Sequence, residues 1–252
     1  MDHIQIEPPL KEDTPRIPSP YGEEIFYYSQ VDLIIVLHLS AGLSCSDGKC
    51  ELIDISIGFV PNASGMTAVE PLALYLSLYR FVNGTFPGTN ANFTYTHTES
   101  SQDVISKSVI YLSVVKPEQA NGEAFNIANT TTPKPWCLKL PVIARYFGLH
   151  GSGPGQKGWE EVEVWWNKKL HDYRRICKTF GLAPRELPRS SWVFYKADFT
   201  LLDRDHELSL AKMYNIGFIA ELPLERGHYL TFDRMAEAKL ILSLEALVTS
   251  PT

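Results

Sequence analysis

The sequence has little of what marks a secreted, membrane-spanning or disulfide-stabilised protein. Four cysteines in 252 residues do not make a disulfide framework, so we expect a reducing compartment and predict a cytoplasmic protein. The N-terminus has no basic stretch followed by an apolar one, and we predict no secretory signal. The longest apolar run, residues 33–39, is far shorter than the roughly 20 residues of a membrane helix, so we expect no membrane partner.

Positive charge is also scarce. The chain has 23 Lys and Arg against 29 Asp and Glu, a formal net charge of −6, which argues against nucleic acid as a partner. Hydrophobic residues make up 44% and charged residues 21%, as in ordinary soluble globular proteins, so disorder of the chain as a unit is excluded. The length allows one sizeable core or two small ones.

The spacings of a metal centre or of a hydrolase are missing too. The histidines do not recur at the intervals that metal ligands need, and we predict no metal site. We interpret the charged stretch 203–207 as the solvated start of a helix. No G-x-S-x-G and no Cys–His pattern supports a hydrolase.

The first half of the chain alternates helices and strands. The pattern predicts helices over 24–39, 67–82 and 100–115, and strands over 51–60, 93–98 and 123–129. Ser100 and Ser101 offer N-cap oxygens for the third helix. This alternation predicts an α/β fold with a Rossmann-type sheet, and three strands leave that sheet incomplete.

The second half is richer in helix. Helical spacing covers 135–149, 159–180, 198–214 and 226–244. We therefore predict two domains, the C-terminal part of a Rossmann-like nucleotide-binding domain at 1–130 and a helix-rich substrate-binding lobe at 131–252. The aromatic residues of 159–195 are expected to form core, with an apolar substrate pocket as the alternative.

A G-x-G-x-x-G match lies at residues 153–158. The motif holds a dinucleotide only where it follows a strand and opens a helix, because the helix N-terminus must face the diphosphate. The segment before it, 142–149, has helical spacing, so we interpret the match as part of a flexible connector at 151–158. No other stretch of these 252 residues provides a phosphate loop.

Two stretches could serve a nicotinamide enzyme. Tyr27 and Tyr28 lie at a helix start, and a tyrosine beside a nicotinamide can donate a proton if a cation lowers its pKa from about 10. Asp32, four residues on, has the opposite effect, so the residues alone favour packing. The strand that ends at Gly58 could approach a flat ligand closely, although a strand followed by a plain turn is the simpler interpretation.

Several segments, taken together, resemble one family. They are PPLKEDTPRIP (8–18), FYYSQVD (26–32), IGFVPNASGM (57–66), TFPGTN (85–90), SSQDVISKSVIYL (100–112), GEAFNIAN (122–129), SSWVFYKADF (190–199) and KMYNIGF (212–218). The pattern resembles the progesterone 5β-reductase/iridoid synthase-like branch of the short-chain dehydrogenases, and the fungal members more than the plant ones. The resemblance covers nearly the whole chain.

This resemblance implies an oxidoreductase that reduces the C=C bond of an enone or enal with NADPH. A tyrosine of the family holds the carbonyl oxygen as it becomes an enolate, which stabilises charge in the transition state. The F-Y-Y motif carries this role onto Tyr28, with Tyr27 as the fallback. The family takes its lysine from earlier in the chain, so Asp32 is then expected.

The resemblance also implies contacts with cofactor and substrate. The cofactor contacts fall on Ile53, Ile57, Gly58 and Phe59. The substrate pocket falls on Trp192, Phe194 and Tyr195.

The sequence departs from the family in ways that predict impaired activity. The family's phosphate loop, NADPH-selecting basic residues and catalytic lysine lie upstream of the part that matches, Leu52 and Ile53 stand where the family has Arg-Pro, and residues 35–49 do not resemble the family. We therefore expect a truncated reductase with weak or no activity alone, which binds NADPH poorly and associates with a copy or homologue through an open sheet edge. The alternative is an inactive binding or regulatory module that pairs with an intact homologue.

Overall fold

The structure is a computed structural model with an α/β fold in which helices predominate. It describes residues 7–41, 55–57, 67–82, 90–151, 153, 162–185, 192, 195–196, 199 and 204–249. The strands in this part form two small sheets of two strands each, consistent with an incomplete Rossmann sheet. The predicted fold class is thereby confirmed.

The first described residues form an extended segment and then a 3₁₀ turn at Tyr21–Glu24. Helix α1 follows at Phe26–Ala41. The predicted helix began two residues earlier, at residue 24. Pro18 and Pro20 precede the turn, and Gly22 N–H donates to the Pro18 carbonyl at 3.0 Å. This turn fixes the direction in which α1 begins.

Each of the two sheets pairs strands that are far apart in the sequence. Strand β1 (Ile55–Ile57) pairs in parallel with β3 (Glu99–Ser101), while β2 (Thr96–His97) pairs antiparallel with β4 (Lys134–Pro135). The predicted strand at 51–60 is confirmed at the three residues of β1, and its other positions lie outside the described residues. β2 and β3 are adjacent in sequence, so the two sheets meet at Thr98.

Two strand predictions need correction. In the segment 93–98 only Thr96–His97 is a strand, because Phe93 and Thr94 end helix α3 (Asn90–Thr94). Residues 123–129 are extended but form no strand. Their backbone groups form no strand ladder. Asn126 N–H donates to the Glu12 carboxylate at 2.8 Å, and the links to β3 are single bonds, from the Ser100 hydroxyl to the Ile127 carbonyl and from Asn129 N–H to the Glu99 carbonyl.

The helices in the first half follow the predicted spacing. α2 is Val69–Val82, and α4 (Gln102–Ile110) continues as a π-helical turn at Tyr111–Val115. Ser101 caps α4, because its Oγ accepts a hydrogen bond from Val104 N–H at 3.2 Å. A short helix α5 follows at Pro117–Ala120.

The later helices differ more from prediction. They are α6 (Trp136–Arg145), α7 (Val162–Phe180), α8 (Ala211–Asn215), α9 (Leu224–Glu237) and α10 (Leu244–Thr249). The single helix predicted over 226–244 is wrong in extent, because Lys239 has a φ of 57° and ends it.

The segment 204–210 is also not the helix predicted there. It runs extended between Leu10 and β2, forming parallel bridges from Leu208 to Leu10 and from His206 to His97. His206 N–H donates to the Thr96 carbonyl at 2.9 Å. The charged stretch interpreted as a solvated helix start therefore supplies backbone pairing. Of the helix predicted over 198–214, the structure describes 199 and 204–214, and in 204–214 the helical part is α8.

The main core is built around α2, which is buried at every position from Val69 to Leu76 and half-buried at most positions from Ser77 to Phe81. Residues of α6, α7, α9 and the C-terminal segment surround it, including Trp136, Ile143, Trp166, Tyr173, Phe232 and Leu247. This core draws on both sides of residue 130, and the division into two domains stays a prediction. Among the described helices, none is both long and apolar enough to cross a bilayer.

Candidate functional site

Tyr28 lies in the first turn of α1, and the segment before the helix fixes its ring. Its hydroxyl oxygen accepts a hydrogen bond from Ile17 N–H at 3.0 Å. The guanidinium of Arg16 lies over the ring, with Cζ 4.8 Å from the ring centroid. Because Tyr28 accepts this bond, its own proton remains available for donation to a ligand oxygen.

Arg16 also neutralises the carboxylate that follows Tyr28. Its two terminal nitrogens contact the Asp32 oxygens at 2.8 and 3.0 Å, a bidentate pair. Tyr28 and Asp32 are four residues apart on one face of α1, so one guanidinium reaches both. The pair is partly exposed and contributes little to stability, so its effect is to orient the ring.

A second group of polar side chains is buried where β2, β3, α6 and α9 meet. Lys139 Nζ lies 2.6 Å from Glu99 Oε1 and donates to the His97 carbonyl at 3.1 Å. The Nε2 atoms of His97 and His228 lie 3.7 and 3.9 Å from the same Glu99 oxygen. We call these four residues the Glu99 cluster; all four are buried.

Helical spacing explains how Lys139 and His228 reach the interior. Lys139 is on the same face of α6 as Trp136, Leu140 and Ile143, which are all buried. Its ammonium lies 5.6 Å from the Trp136 ring centroid. His228 occupies the corresponding buried face of α9, one turn before Phe232.

Burial and charge together set the ionisation of the Glu99 cluster. Burial raises the pKa of the Glu99 carboxyl, but Lys139, His228 and His97 outweigh it and hold that pKa well below its ordinary value. Burial lowers the pKa of His97 to about 4, with Lys139 acting in the same direction and Glu99 opposing it. Burial also lowers the pKa of His228, and the nearby Glu99 carboxylate again opposes this shift. At neutral pH the cluster is one ion pair beside two uncharged imidazoles.

A cavity of about 160 Å³ opens beside this ion pair. His97, Glu99 and Lys139 form its inner wall. The rest of its lining comes from the loop after the extended segment 123–129 and from the start of α9, namely Asn129, Thr130, Thr132, Pro133, Lys134, Glu221, Leu222, Pro223 and Leu224. Asn129 is 2% exposed, and its Nδ2 has no hydrogen-bond partner within the part of the chain that the structure describes.

Comparison with known proteins identifies the family. Residues 2–242 match the PRISE-like Rossmann-fold domain. The chain belongs to that family. The family is a branch of the short-chain dehydrogenases, a superfamily of oxidoreductases that use a nicotinamide cofactor.

Curated fungal relatives agree with the family match. The short chain dehydrogenase ausT of Aspergillus calidoustus is 36% identical over 247 residues, 94% of this chain and 58% of that protein. The short chain dehydrogenase sirQ of Leptosphaeria maculans is 26% identical over 248 residues, 96% of this chain and 62% of that protein. The chain thus spans about three fifths of the length of these two relatives.

The structure locates some of the residues that the PRISE-like resemblance assigned to the cofactor and the catalytic step. Tyr27 and Tyr28 are adjacent on α1, both partly buried. Ile57 ends β1, where the chain reaches the edge at which nucleotides bind in Rossmann sheets. Ile53, Gly58 and Phe59 lie outside the described residues. The roles of all six stay predictions.

Two of the three predicted pocket residues are part of the main core. Trp192 contacts the ring of Trp166 at a centroid distance of 5.7 Å, and Tyr195 stacks on Phe199 at 4.2 Å. Phe194 lies outside the described residues. Neither Trp192 nor Tyr195 lines the cavity beside Glu99. Their part in substrate binding remains a prediction.

The glycine motif at 153–158 follows a helix, as its interpretation as a connector requires. α6 and the turn after it precede the motif, so no strand leads into it. Within the described residues, no group of three or more histidine, cysteine, aspartate or glutamate side chains is arranged to hold a metal ion.

Sequence reasoning missed the Glu99 cluster. His97 and His228 were interpreted only by their spacing from other histidines, and they are far apart in the chain. A usable signal was present in Lys139, a charged residue on the apolar face of a predicted helix. Buried charges need partners, so such a position predicts an acidic residue nearby without naming it.

Proposed function

We propose that this chain carries the substrate-facing part of an NADPH-dependent reductase of enones or enals, with Tyr28 as the residue that holds the substrate carbonyl. The observation that carries the proposal is the fixed tyrosine at the start of α1, bonded by Ile17 N–H and covered by Arg16. Membership of the PRISE-like family supports oxidoreductase chemistry. The enone substrate and NADPH are inferred from the resemblance.

The proposed chemistry at Tyr28 is charge stabilisation. NADPH, when bound in a complete reductase, would supply the hydride. The Tyr28 hydroxyl would donate a hydrogen bond to the carbonyl oxygen, where negative charge collects as the C=C electron pair shifts. Ile17 N–H and Arg16 hold the ring, so little motion is needed as that charge develops.

The described residues do not fit the diphosphate of a dinucleotide. The glycine motif follows helix α6 rather than a strand, so it lacks the strand that leads into a diphosphate-binding loop in the family's fold. We therefore propose that these 252 residues alone bind NADPH weakly. Titration of the purified chain, followed by nucleotide fluorescence, should show no saturation at micromolar NADPH; micromolar affinity would refute this part of the proposal.

A chimera tests the role of Tyr28. The part of ausT that this chain does not match would be fused to residues 1–252, and NADPH oxidation measured with cyclohexenone. We expect Tyr28→Phe to lower kcat by about 100-fold and Tyr27→Phe to leave it nearly unchanged, since one oxyanion donor contributes on this order. The reverse result would move the role to Tyr27. A chimera that binds NADPH but oxidises none would count against enone reduction.

A second candidate function is an inactive module that pairs with a copy of itself or with a homologue. Within the described residues β1 has one strand partner, β3, which leaves its other edge for pairing. Four apolar residues after β3 are more than half exposed, namely Val109, Ile110, Val114 and Val115. A cytoplasmic location is also part of the proposal, supported by the free thiols of Cys137 and Cys177.

A further inference from the structure

We propose that the cavity beside the Glu99 cluster binds a small uncharged molecule through a carbonyl or amide oxygen. This site is separate from Tyr28, because no residue of α1 lines it. The inference goes beyond the proposed reductase function and does not depend on it. The proposal rests on the size of the cavity, on the buried amide donor of Asn129 and on the balance of the charges around the cavity.

The cavity is the right size for a molecule of about six non-hydrogen atoms. Its volume of about 160 Å³ is close to that of an engineered protein cavity, about 150 Å³, known to hold benzene. Unlike that cavity, this one is lined by ionic and amide groups as well as by proline and leucine. Four lining residues are exposed and border solvent: Thr132, Lys134, Glu221 and Pro223. A small solute can therefore enter without unfolding the core.

Asn129 supplies the recognition group. Its side-chain oxygen accepts from Ser101 N–H at 2.8 Å, and its backbone carbonyl accepts from Leu222 N–H at 2.8 Å. These bonds fix the residue between β3 and the start of α9, and they leave the buried Nδ2–H₂ without a partner among the described residues. A buried donor of this kind is costly when it is left unsatisfied, so an oxygen acceptor in the cavity is favoured.

Charge selects a neutral occupant. Lys139 and Lys134 oppose Glu99 and Glu221 around the cavity, and the imidazole of His97 is uncharged at neutral pH. An anion drawn to the Lys139 ammonium would meet the Glu99 carboxylate 2.6 Å from it, and a cation drawn to Glu99 would meet Lys139. A carbonyl or amide oxygen satisfies Asn129 without either repulsion.

The test uses acetamide, an uncharged probe with one carbonyl oxygen, on the full 252-residue chain. Saturation-transfer NMR measures its binding, with acetate as the charged counterpart. We expect saturable acetamide binding with a dissociation constant on the order of millimolar, because a ligand with so few non-hydrogen atoms can gain only a small binding free energy. Acetate should bind about fivefold more weakly or worse.

Three variants locate the binding. Thr132→Trp fills the exposed mouth of the cavity, and Thr131→Trp is the matched control, because Thr131 is exposed and does not line it. Asn129→Asp removes the amide donor and keeps an acceptor for Ser101 N–H. We expect Thr132→Trp and Asn129→Asp to weaken acetamide binding by about fivefold or more, and Thr131→Trp to leave it unchanged.

Several outcomes would overturn the proposal. These are no saturable binding to the wild-type chain, equal binding of acetate and acetamide, and equal binding by Thr132→Trp and the wild type. A cavity that holds water alone would give the first of these results. If Asn129→Asp does not fold, the comparison of Thr132→Trp with Thr131→Trp decides.

Discussion

Lys139 shows how much a single buried charge depends on its partner. Its ammonium is the nearest cation to Glu99, which is almost fully enclosed. We expect Lys139→Met to lower the free energy of unfolding by about 3–5 kcal/mol, because it leaves the carboxylate buried without its ion-pair partner. Urea denaturation at pH 7 measures this loss.

The double variant separates the ion pair from the packing of the lysine stem. Lys139→Met combined with Glu99→Gln removes both charges, so we expect it to be no less stable than Lys139→Met alone. If the two losses instead add in full, Glu99 is stabilised mainly by other groups, and the ion pair is not what holds the cluster.

His97 makes stability depend on pH. The unfolded chain binds a proton at this residue near pH 6.5, whereas the folded chain does so only near pH 4. Between these values the unfolded state binds more protons, so the stability present above pH 6.5 is lost as the pH falls toward 4, by roughly 3 kcal/mol from this residue.

Variants assign this pH dependence. Urea midpoints measured from pH 7 to pH 4.5 should fall more steeply in the wild type than in His97→Gln. His228 adds a contribution of the same sign, since burial lowers its pKa too, so the slope should shrink without vanishing. His150→Gln changes an exposed histidine and should keep the wild-type slope; an unchanged slope in His97→Gln would contradict the assignment.

At the scale of the elements, helix α4 depends on its N-cap residue, which is the last residue of strand β3. Ser101 ends the strand and accepts from Val104 N–H, so one side chain links sheet and helix. We expect Ser101→Ala to lower the free energy of unfolding by about 1 kcal/mol, the usual cost of a lost serine cap. Ser113→Ala, at an exposed position of the π-helical turn, should change it by less than about 0.5 kcal/mol. Equal effects would rule out the cap as the cause.

Elements were also misjudged where their backbone had partners far away in the chain. The segment 204–210 is predicted to be helical from its own sequence, but its backbone groups form hydrogen bonds with the backbone of Leu10 and Thr96. Residues 123–129 look like a strand, but the Glu12 carboxylate takes the Asn126 N–H. In both cases a distant segment outweighed a local preference.

At the level of the chain as a unit, we predict self-association driven by the exposed apolar residues that follow β3. Ile110 and Val114 are four residues apart and 61% and 72% exposed. Replacing both by Lys should lower the weight-average mass seen by light scattering at equal concentration. The two lysines make the net charge of −6 smaller in magnitude, so a lower weight-average mass cannot come from stronger overall repulsion between chains.

Leu138→Lys is the control for that experiment. Leu138 is 58% exposed and lies on a different helix, α6. We expect it to leave the light-scattering mass unchanged. A wild-type chain that is monomeric at all concentrations would refute the predicted association.

Hydrophobic spacing predicted the α/β class and the positions of α1, α2, α4, α6 and α7, and the serines at 100 and 101 predicted the cap of α4, because each depends on neighbours a few residues away. The F-Y-Y motif pointed to Tyr28 only through the family resemblance, and the role of Tyr28 stays a prediction. The Glu99 cluster and its cavity could not be predicted from local spacing, because residues 97, 99, 139 and 228 meet only when β2, β3, α6 and α9 pack together. Local periodicity carries no information about which buried charge faces which, and Coulomb and desolvation energies depend on distances that packing alone sets.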